Sequence, residues 1–228
     1  MKTYDRGAPL ISLHIQRTGG TSLFRVLQGW FGDKLIRHYA HKGVPPQRHV
    51  LAGPICIHGH FNAAGGVGVP QYYPQAEQFM TFLREPFDRH VSQWLALRRV
   101  RTRKGVDPAV GPDFETSLRR RARGHRVRRN VHSMISQFPE PPEAGNFGAL
   151  MDEKFVFVGI MERYQESLDA LAAVLGKPRA DAVRLNESRS ANGEYEHLRA
   201  FYRRHFADEY EIYEAGRARN DELIRRYR

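Results

Sequence analysis

The stretch that most constrains the fold spans residues 10–27 and reads LISLHIQRTGGTSLFRVL. Residues 10–15 alternate apolar with small or polar side chains and are rich in β-formers, which predicts a strand. The pair Gly19 and Gly20 predicts a tight turn, because glycine adopts positive φ without strain and lets a ligand approach the backbone closely. Thr21 and Ser22 suit the first turn of a helix, and apolar residues follow them at helical spacing.

A strand that enters a helix through a glycine turn directs free N–H groups, with the positive end of the helix dipole, at one small volume. That volume suits a phosphate. A glycine pair serving chain geometry alone is the alternative, but here one cation and three hydroxyls surround the same turn. We therefore predict a phosphate site whose binding residues are Arg17, Thr18, Gly19, Gly20, Thr21 and Ser22.

A second candidate site begins where residues 79–83 predict a short strand followed by a helix. Arg84 comes directly after that strand, and Ser92 lies eight residues further on, inside the helix. A strand-end guanidinium and a hydroxyl of the next helix could grip one phosphate together. In the alternative interpretation Arg84 pairs with Glu85 or Asp88, and Ser92 is a solvated helix residue.

A third candidate site is the tripeptide His58-Gly59-His60. Residues i and i+2 of an extended segment point to the same side, so both imidazoles could face one cleft. Histidine is well suited to act as a general base near neutral pH. The alternatives are a core histidine bonded to backbone, or half of a metal site. We expect no metal, because zinc would want further ligands and Cys56 is the only thiol.

These three segments resemble parts of one enzyme family. H-I-Q-R-T-G-G-T-S resembles the H-I-P-K-T-G-G-T-S turn of sulfotransferases, which holds the 5′-phosphosulfate end of 3′-phosphoadenosine 5′-phosphosulfate (PAPS). R-E-P-F-D-R-H-V-S-Q-W resembles their R-D-P-x-x-R-x-x-S-x-[YW] segment, which grips the 3′-phosphate. C-I-H-G-H-F resembles the H-G-H segment of uronyl and heparan 2-O-sulfotransferases. Here Gln16 replaces the family proline and Arg17 the family lysine.

The resemblance implies roles for these residues. His60 would be the catalytic base, with His58 its supporting partner or a contact to the acceptor. Arg17 would stand over the bridging oxygen, where a permanently charged guanidinium neutralises the leaving phosphate but donates no proton. The reaction would be in-line attack by an acceptor hydroxyl, with 3′,5′-bisphosphoadenosine (PAP) as product and no metal required. A polar loop would close over the nucleotide, with Ser188 and Arg189 as further binding candidates.

Alternation of strands and helices predicts an α/β fold with a mainly parallel central sheet and helices on both faces. A length of 228 residues fits one domain, residues 1–228. Further elements are predicted as buried strands over residues 50–57 and 155–159, and as an amphipathic helix over residues 164–175. Arg89 is expected to brace its helix rather than to touch a ligand.

Composition bears on partners and compartment. A net charge of +11 favours anionic ligands. The basic stretch Arg98 to Arg129 is either a solvated face or a cradle for an acidic acceptor, and an anionic glycan fits it better than nucleic acid because aromatic residues are sparse there. No apolar run reaches the ~20 residues of a membrane span and the N-terminus lacks a signal-peptide core, so we expect a cytoplasmic protein.

Two other functions remain open from the sequence. A nucleotide kinase or similar phosphoryl-transfer enzyme would need a lysine after the glycines, whereas here the cation precedes them. A non-catalytic nucleic-acid-binding protein would use the stretch Arg98 to Arg129 and would bind in a strongly salt-dependent way.

Overall fold

The computed structural model describes residues 1–41, 44–101, 112–123, 133–140, 145–182 and 192–228. Within these ranges five strands form one sheet in the order β2-β3-β1-β4-β5, and every neighbouring pair is parallel. This confirms the predicted fold class. The strands are β1 (Leu10–Leu13), β2 (Leu35–His38), β3 (Cys56–Gly59), β4 (Phe79–Leu83) and β5 (Phe155–Ile160).

Helices follow the strands along the described chain and cover the sheet. The main ones are α1 (Gly20–Phe31), α2 (Val69–Tyr72), α3 (Pro86–Arg101), α4 (Phe114–Arg123), α5 (Phe147–Lys154), α6 (Tyr164–Leu175), α7 (Asn192–Tyr195), α8 (Arg199–His205) and α9 (Ala207–Arg226). Short 3-10 turns occupy Gly32–Lys34, Ala63–Gly65, Ile135–Gln137, Met161–Arg163 and Glu196–Leu198.

The sheet is buried on both faces, because alternate residues of each inner strand enter different cores. On one face Leu10 and Met80 pack with α1 and α6, through Leu23 and Leu171 among others. On the other face the core includes residues of α5 and α9. This packing fixes the carboxyl ends of the strands, where ligands of open parallel sheets bind.

A third apolar cluster joins α3 to α4, α8 and α9 beside the sheet. Phe87, Val91 and Trp94 of α3 are buried there against aromatic residues of the other helices. The same region contains a buried ion pair, in which the Arg89 guanidinium lies 2.9 Å from the Glu209 carboxylate of α9. Arg89 therefore braces α3, as predicted.

Most element boundaries match the prediction, with two exceptions on one side of the sheet. β4 and α6 begin and end where the sequence places them. The predicted strand over residues 50–57 is wrong for most of its length, because pairing begins only at Cys56 and Val50 is 83% exposed. The edge strand β2 was not predicted. Only His38 of its four residues is buried, and Arg37 is exposed, so the strand lacks a clear apolar pattern.

Candidate active site

The turn between β1 and α1 has an uncommon backbone. Arg17 has a φ of 71°, which a side chain larger than glycine rarely adopts, and Gly19 has a φ of 77°. The Thr18 hydroxyl is buried and donates to the Ile15 carbonyl at 2.7 Å, which stabilises the turn from inside. No described side chain caps α1 and no acidic residue lies in its first turn, so no described carboxylate neutralises its positive end there.

The two glycines of this turn have a packing role as well. A Cβ on Gly20 would lie 1.9 Å from the His14 imidazole, and one on Gly19 would lie 2.6 Å from the Met161 sulfur. The prediction of positive φ holds for Gly19 and is wrong for Gly20, where Arg17 takes the unusual conformation instead. Gly20 is required because the His14 ring lies against its backbone.

The turn and α3 are in direct contact, although Arg17 and Ser92 are 75 residues apart along the chain. The Arg17 Nε donates to the Ser92 Oγ at 3.0 Å. Beside it the Gln93 side-chain amide donates to the Gln16 side chain at 2.9 Å. The Arg84 guanidinium reaches the Arg17 carbonyl at the outer limit of a hydrogen bond, 3.5 Å. The structure therefore brings the first two predicted sites together, with the Arg17 side chain turned toward α3.

Arg17 and Arg84 have no acidic partner among the described residues. Burial, and then the positive charges of Arg84 and Arg99, lower the pKa of Arg17. Two arginines whose charges act on each other, without an acidic partner among the described residues, would be stabilised by an anion.

The nearby carboxylates are already bonded elsewhere. Glu85 and Asp88 each lie 2.8 Å from the Arg199 guanidinium. The alternative pairing of Arg84 with either of them is therefore not what the structure shows. Glu162 accepts from the Glu85 backbone N–H at 2.9 Å, which fixes the chain directly after Arg84. Ser92 is buried rather than solvated.

The two histidines of the third site differ in exposure. His58 is completely buried, and its Nδ1 lies 2.8 Å from the Ser12 hydroxyl. Burial, with a smaller effect of His60, lowers the pKa of His58 to about 3, so its ring is neutral near pH 7. His60 is only partly buried, and burial also lowers its pKa. Two roles were expected for His58, namely support of His60 or contact with the acceptor. A ring without exposed surface fits the first role and not the second.

Two further residues belong to this cluster and were missed. The His14 ring centroid lies 4.4 Å from that of His60 and 5.3 Å from that of His58, on which it stacks. The Tyr39 hydroxyl lies 2.9 Å from the His14 Nδ1. A signal for His14 was available, because it stands directly after the β1 residues and before the glycine turn. Tyr39 follows the unpredicted strand β2 and had none.

Several other candidates lie outside the described residues. Ser188 and Arg189 fall in the undescribed range 183–191, and the basic stretch Arg98 to Arg129 includes the undescribed ranges 102–111 and 124–132. Cys56 is a buried free thiol whose pKa is raised by burial.

No group of three or more potential metal ligands is found in the described ranges. No helix within the same ranges combines the length and apolarity needed to cross a bilayer.

No protein-family model matches the chain, and no curated protein matches it. Among solved structures it is similar to the crystal structure of mouse sulfotransferase SULT7A1 complexed with PAP, with 12% sequence identity and a TM-score of 0.48. That match covers 78% of this chain and 62% of the mouse protein.

Proposed function

We propose that this chain is a sulfotransferase that moves the sulfuryl group of PAPS to an acceptor hydroxyl and releases PAP. One observation carries the proposal: Arg17 and Arg84 meet at the carboxyl ends of β1 and β4, without an acidic partner among the described residues. Such a pair calls for a strongly anionic ligand. The uncapped start of α1 adds positive potential at the same place.

The arrangement suits a ligand with two anionic ends. The turn before α1 would hold the 5′-phosphosulfate end, and Arg84 with Ser92 would hold the 3′-phosphate. Arg17 uses its Nε on Ser92, and its two terminal nitrogens are bonded to no described residue, so they are available to phosphate oxygens. The donor supplies an activated sulfuryl group on its 5′-phosphate. Arg17 stabilises negative charge there without giving up a proton.

His60 is the proposed catalytic base. Its Nδ1 lies 2.6 Å from the His14 carbonyl oxygen, and only a protonated Nδ1 makes that contact favourable. The neutral ring therefore keeps its lone pair on Nε2, where an acceptor hydroxyl can transfer its proton. A lowered pKa keeps His60 in this basic form at neutral pH.

The acceptor we propose is a carbohydrate with an anionic group. Support comes from the end of β2, where the exposed Arg37 guanidinium lies 4.8 Å from the Phe24 ring centroid and 5.9 Å from that of Tyr39. Arg37 forms no ion pair with a described residue, and the Tyr39 ring lies 4.9 Å from that of His60. The aromatic ring of Tyr39 and the guanidinium of Arg37, both near the proposed base, suit a sugar that carries a carboxylate or sulfate. The cytoplasmic location expected from the sequence belongs to this proposal as well.

The nucleotide test uses PAP, because a ligand that binds only the folded state raises the melting temperature. At a concentration one hundred times its dissociation constant, PAP should add about 2.7 kcal/mol, or roughly 5–10 °C for a chain of this size. Arg84→Ala and Ser92→Ala should lose most of that shift. Arg25→Ala is the matched control, since Arg25 is exposed on α1 and bonds no described residue. ADP should shift the melting temperature less than PAP.

The transfer test adds PAPS and a panel of desulfated uronic-acid polysaccharides. His60→Ala should keep the PAP shift and lose transfer by about 10²–10⁴-fold, the usual contribution of a general base. Equal stabilisation by PAP and ADP, unchanged by Arg84→Ala, would contradict the nucleotide site. Unchanged turnover in His60→Ala would remove the histidine base.

A further inference from the structure

The partly buried imidazole of His14 lies against His58 and His60, the Gly20 backbone at the start of α1, and Tyr39 after β2. Its ring stacks on His58 at an interplanar angle of 11° and lies against His60 at 30°. Its third side faces the Gly20 backbone, where any Cβ would overlap the ring. The Tyr39 hydroxyl bonds its Nδ1 at 2.9 Å. Such a ring has one defined place and one defined orientation.

The backbone of His14 is equally well fixed. Its N–H donates to the Gly59 carbonyl at 2.8 Å, and its own carbonyl accepts from the His60 Nδ1. The His60 backbone N–H donates to the His38 carbonyl at 3.0 Å. β1 and β3 are thus joined directly at the candidate base, so the position of His14 sets the position of the His60 ring.

The ring of His14 also keeps water from one side of His60. Burial, followed by the nearby His60, His58 and Arg17, lowers the pKa of His14 well below its ordinary value. It therefore covers His60 as a neutral ring, and the lowered pKa of His60 itself comes first from burial. The titratable and charged groups around His60 come from three segments. The segment after β1 supplies His14 and Arg17, and β3 supplies His58. The end of β2 supplies Arg37, His38 and Tyr39.

We propose that His14 and Tyr39 are positioning residues for the base His60: Tyr39 holds the His14 ring, and His14 covers one side of His60 while its carbonyl fixes the tautomer. This inference rests on the proposed function for its catalytic meaning. It also explains why the turn requires glycine at position 20.

The test is a titration of the His60 ring by NMR with labelled imidazole nitrogens, in the protein without added nucleotide. His14→Ala keeps the carbonyl and removes the ring, so His60 should keep its Nδ1–H tautomer. Its titration midpoint should rise by about 0.5–1 pH unit as water reaches it. Tyr39→Phe should shift the midpoint in the same direction by less. Tyr72→Phe is the matched control, because the Tyr72 hydroxyl bonds no described residue and its ring packs edge-on against His38. This variant should leave the His60 titration midpoint unchanged.

The pH profile of transfer gives the second readout. A base that holds a proton at higher pH moves the acid limb of kcat/KM upward by the same amount, whereas a purely structural loss lowers activity at every pH alike. An unchanged His60 midpoint in both His14→Ala and Tyr39→Phe overturns the inference, as does a native Nε2–H tautomer. Failure of PAP to bind would instead overturn the proposed function, because the NMR titration needs no nucleotide.

Discussion

At the scale of single residues, Arg17 combines a charged side chain in the candidate site with an unfavourable backbone conformation. A non-glycine residue in the left-handed region is unfavourable by about 1–2 kcal/mol. Arg17 adopts that conformation with a φ of 71° while its guanidinium bonds Ser92. Glycine would fit the backbone better, yet it would leave the turn without its cation. At this position the chain therefore keeps a guanidinium in the turn at the expense of backbone stability.

Replacing Arg17 by glycine or alanine separates the two effects. Both variants lose the guanidinium and should lose most of the PAP-induced rise in melting temperature. Only glycine relieves the backbone, so Arg17→Gly should be more stable than Arg17→Ala by about 1 kcal/mol in urea unfolding. Within an ordinary helix the order is reversed. Finding alanine the more stable variant would show that Arg17 carries no strain.

Residue patterns indicated the residues that meet between the glycine turn and α3 better than those that surround the histidines. Arg17, Arg84 and Ser92 could be recognised because each stands at a fixed offset from a strand end or glycine turn. That Arg17 would bond Ser92 could not be predicted, since it depends on the backbone φ of one residue. Tyr39 was missed because its place beside His14 exists only after β2 joins the sheet.

At the scale of elements, α3 begins two residues after Arg84 and contains Ser92. The way this helix is anchored therefore matters for the candidate site. The anchor is the ion pair between Arg89 and Glu209, which are 2% and 1% exposed. Glu209 also accepts from the Met134 backbone N–H at 2.8 Å, so one carboxylate joins α3, α9 and the segment before the Ile135–Gln137 turn. Removing one partner of such a pair leaves a buried charge without compensation.

Glu209→Gln tests this anchor with almost no change of volume. It should reduce the free energy of unfolding by about 3–5 kcal/mol, measured by urea denaturation. Glu115→Gln is the matched control, because the pair of Glu115 with Arg119 lies exposed on α4. That control should reduce the free energy of unfolding by only about 0.3–0.5 kcal/mol. Similar losses in both variants would mean that α3 is held by its apolar residues alone.

Elements with a strong apolar period were predicted well, and the edge of the sheet was not. The helix α6 buries Leu168, Leu171 and Leu175 at helical spacing, which is a local property of the chain. β2 is a strand because β3 pairs with it, and its own residues alternate poorly between buried and exposed. The apolar residues before β3 predicted a longer strand, but Val50 lies on the surface and pairs with no described strand.

At the scale of the whole molecule, several histidines fold into places where they must be neutral. Burial is the main cause that lowers the pKa of His38 to about 4 and that of His58 to about 3. The pKa of His14 is lowered well below its ordinary value by the same cause. In the unfolded chain each histidine takes a proton near pH 6.5. Folding therefore requires these rings to lose protons in mildly acidic solution.

The sign of the pH dependence follows from these lowered values. Above about pH 6.5 the rings are neutral in both states, and their full contribution to stability is present. As the pH falls below that value the unfolded chain binds protons that the folded chain does not. Each buried histidine then reduces the free energy of unfolding by about 1.4 kcal/mol per pH unit until its folded pKa is reached. Between about pH 6 and 4 we expect the free energy of unfolding to change with pH at a slope that corresponds to roughly two to three protons.

Urea unfolding at a series of pH values measures this slope directly. His38→Gln and His58→Gln should each reduce it by about one proton, and the double variant by about two, even where the variants are less stable at pH 7. The two rings lie on opposite faces of the sheet, His38 against Phe61 and His58 against Ser12, so their effects should add. A slope that stays the same in the double variant would mean that carboxylates alone govern acid unfolding. A reduced slope would show that the imidazoles around the candidate site also set the pH range in which the molecule is folded.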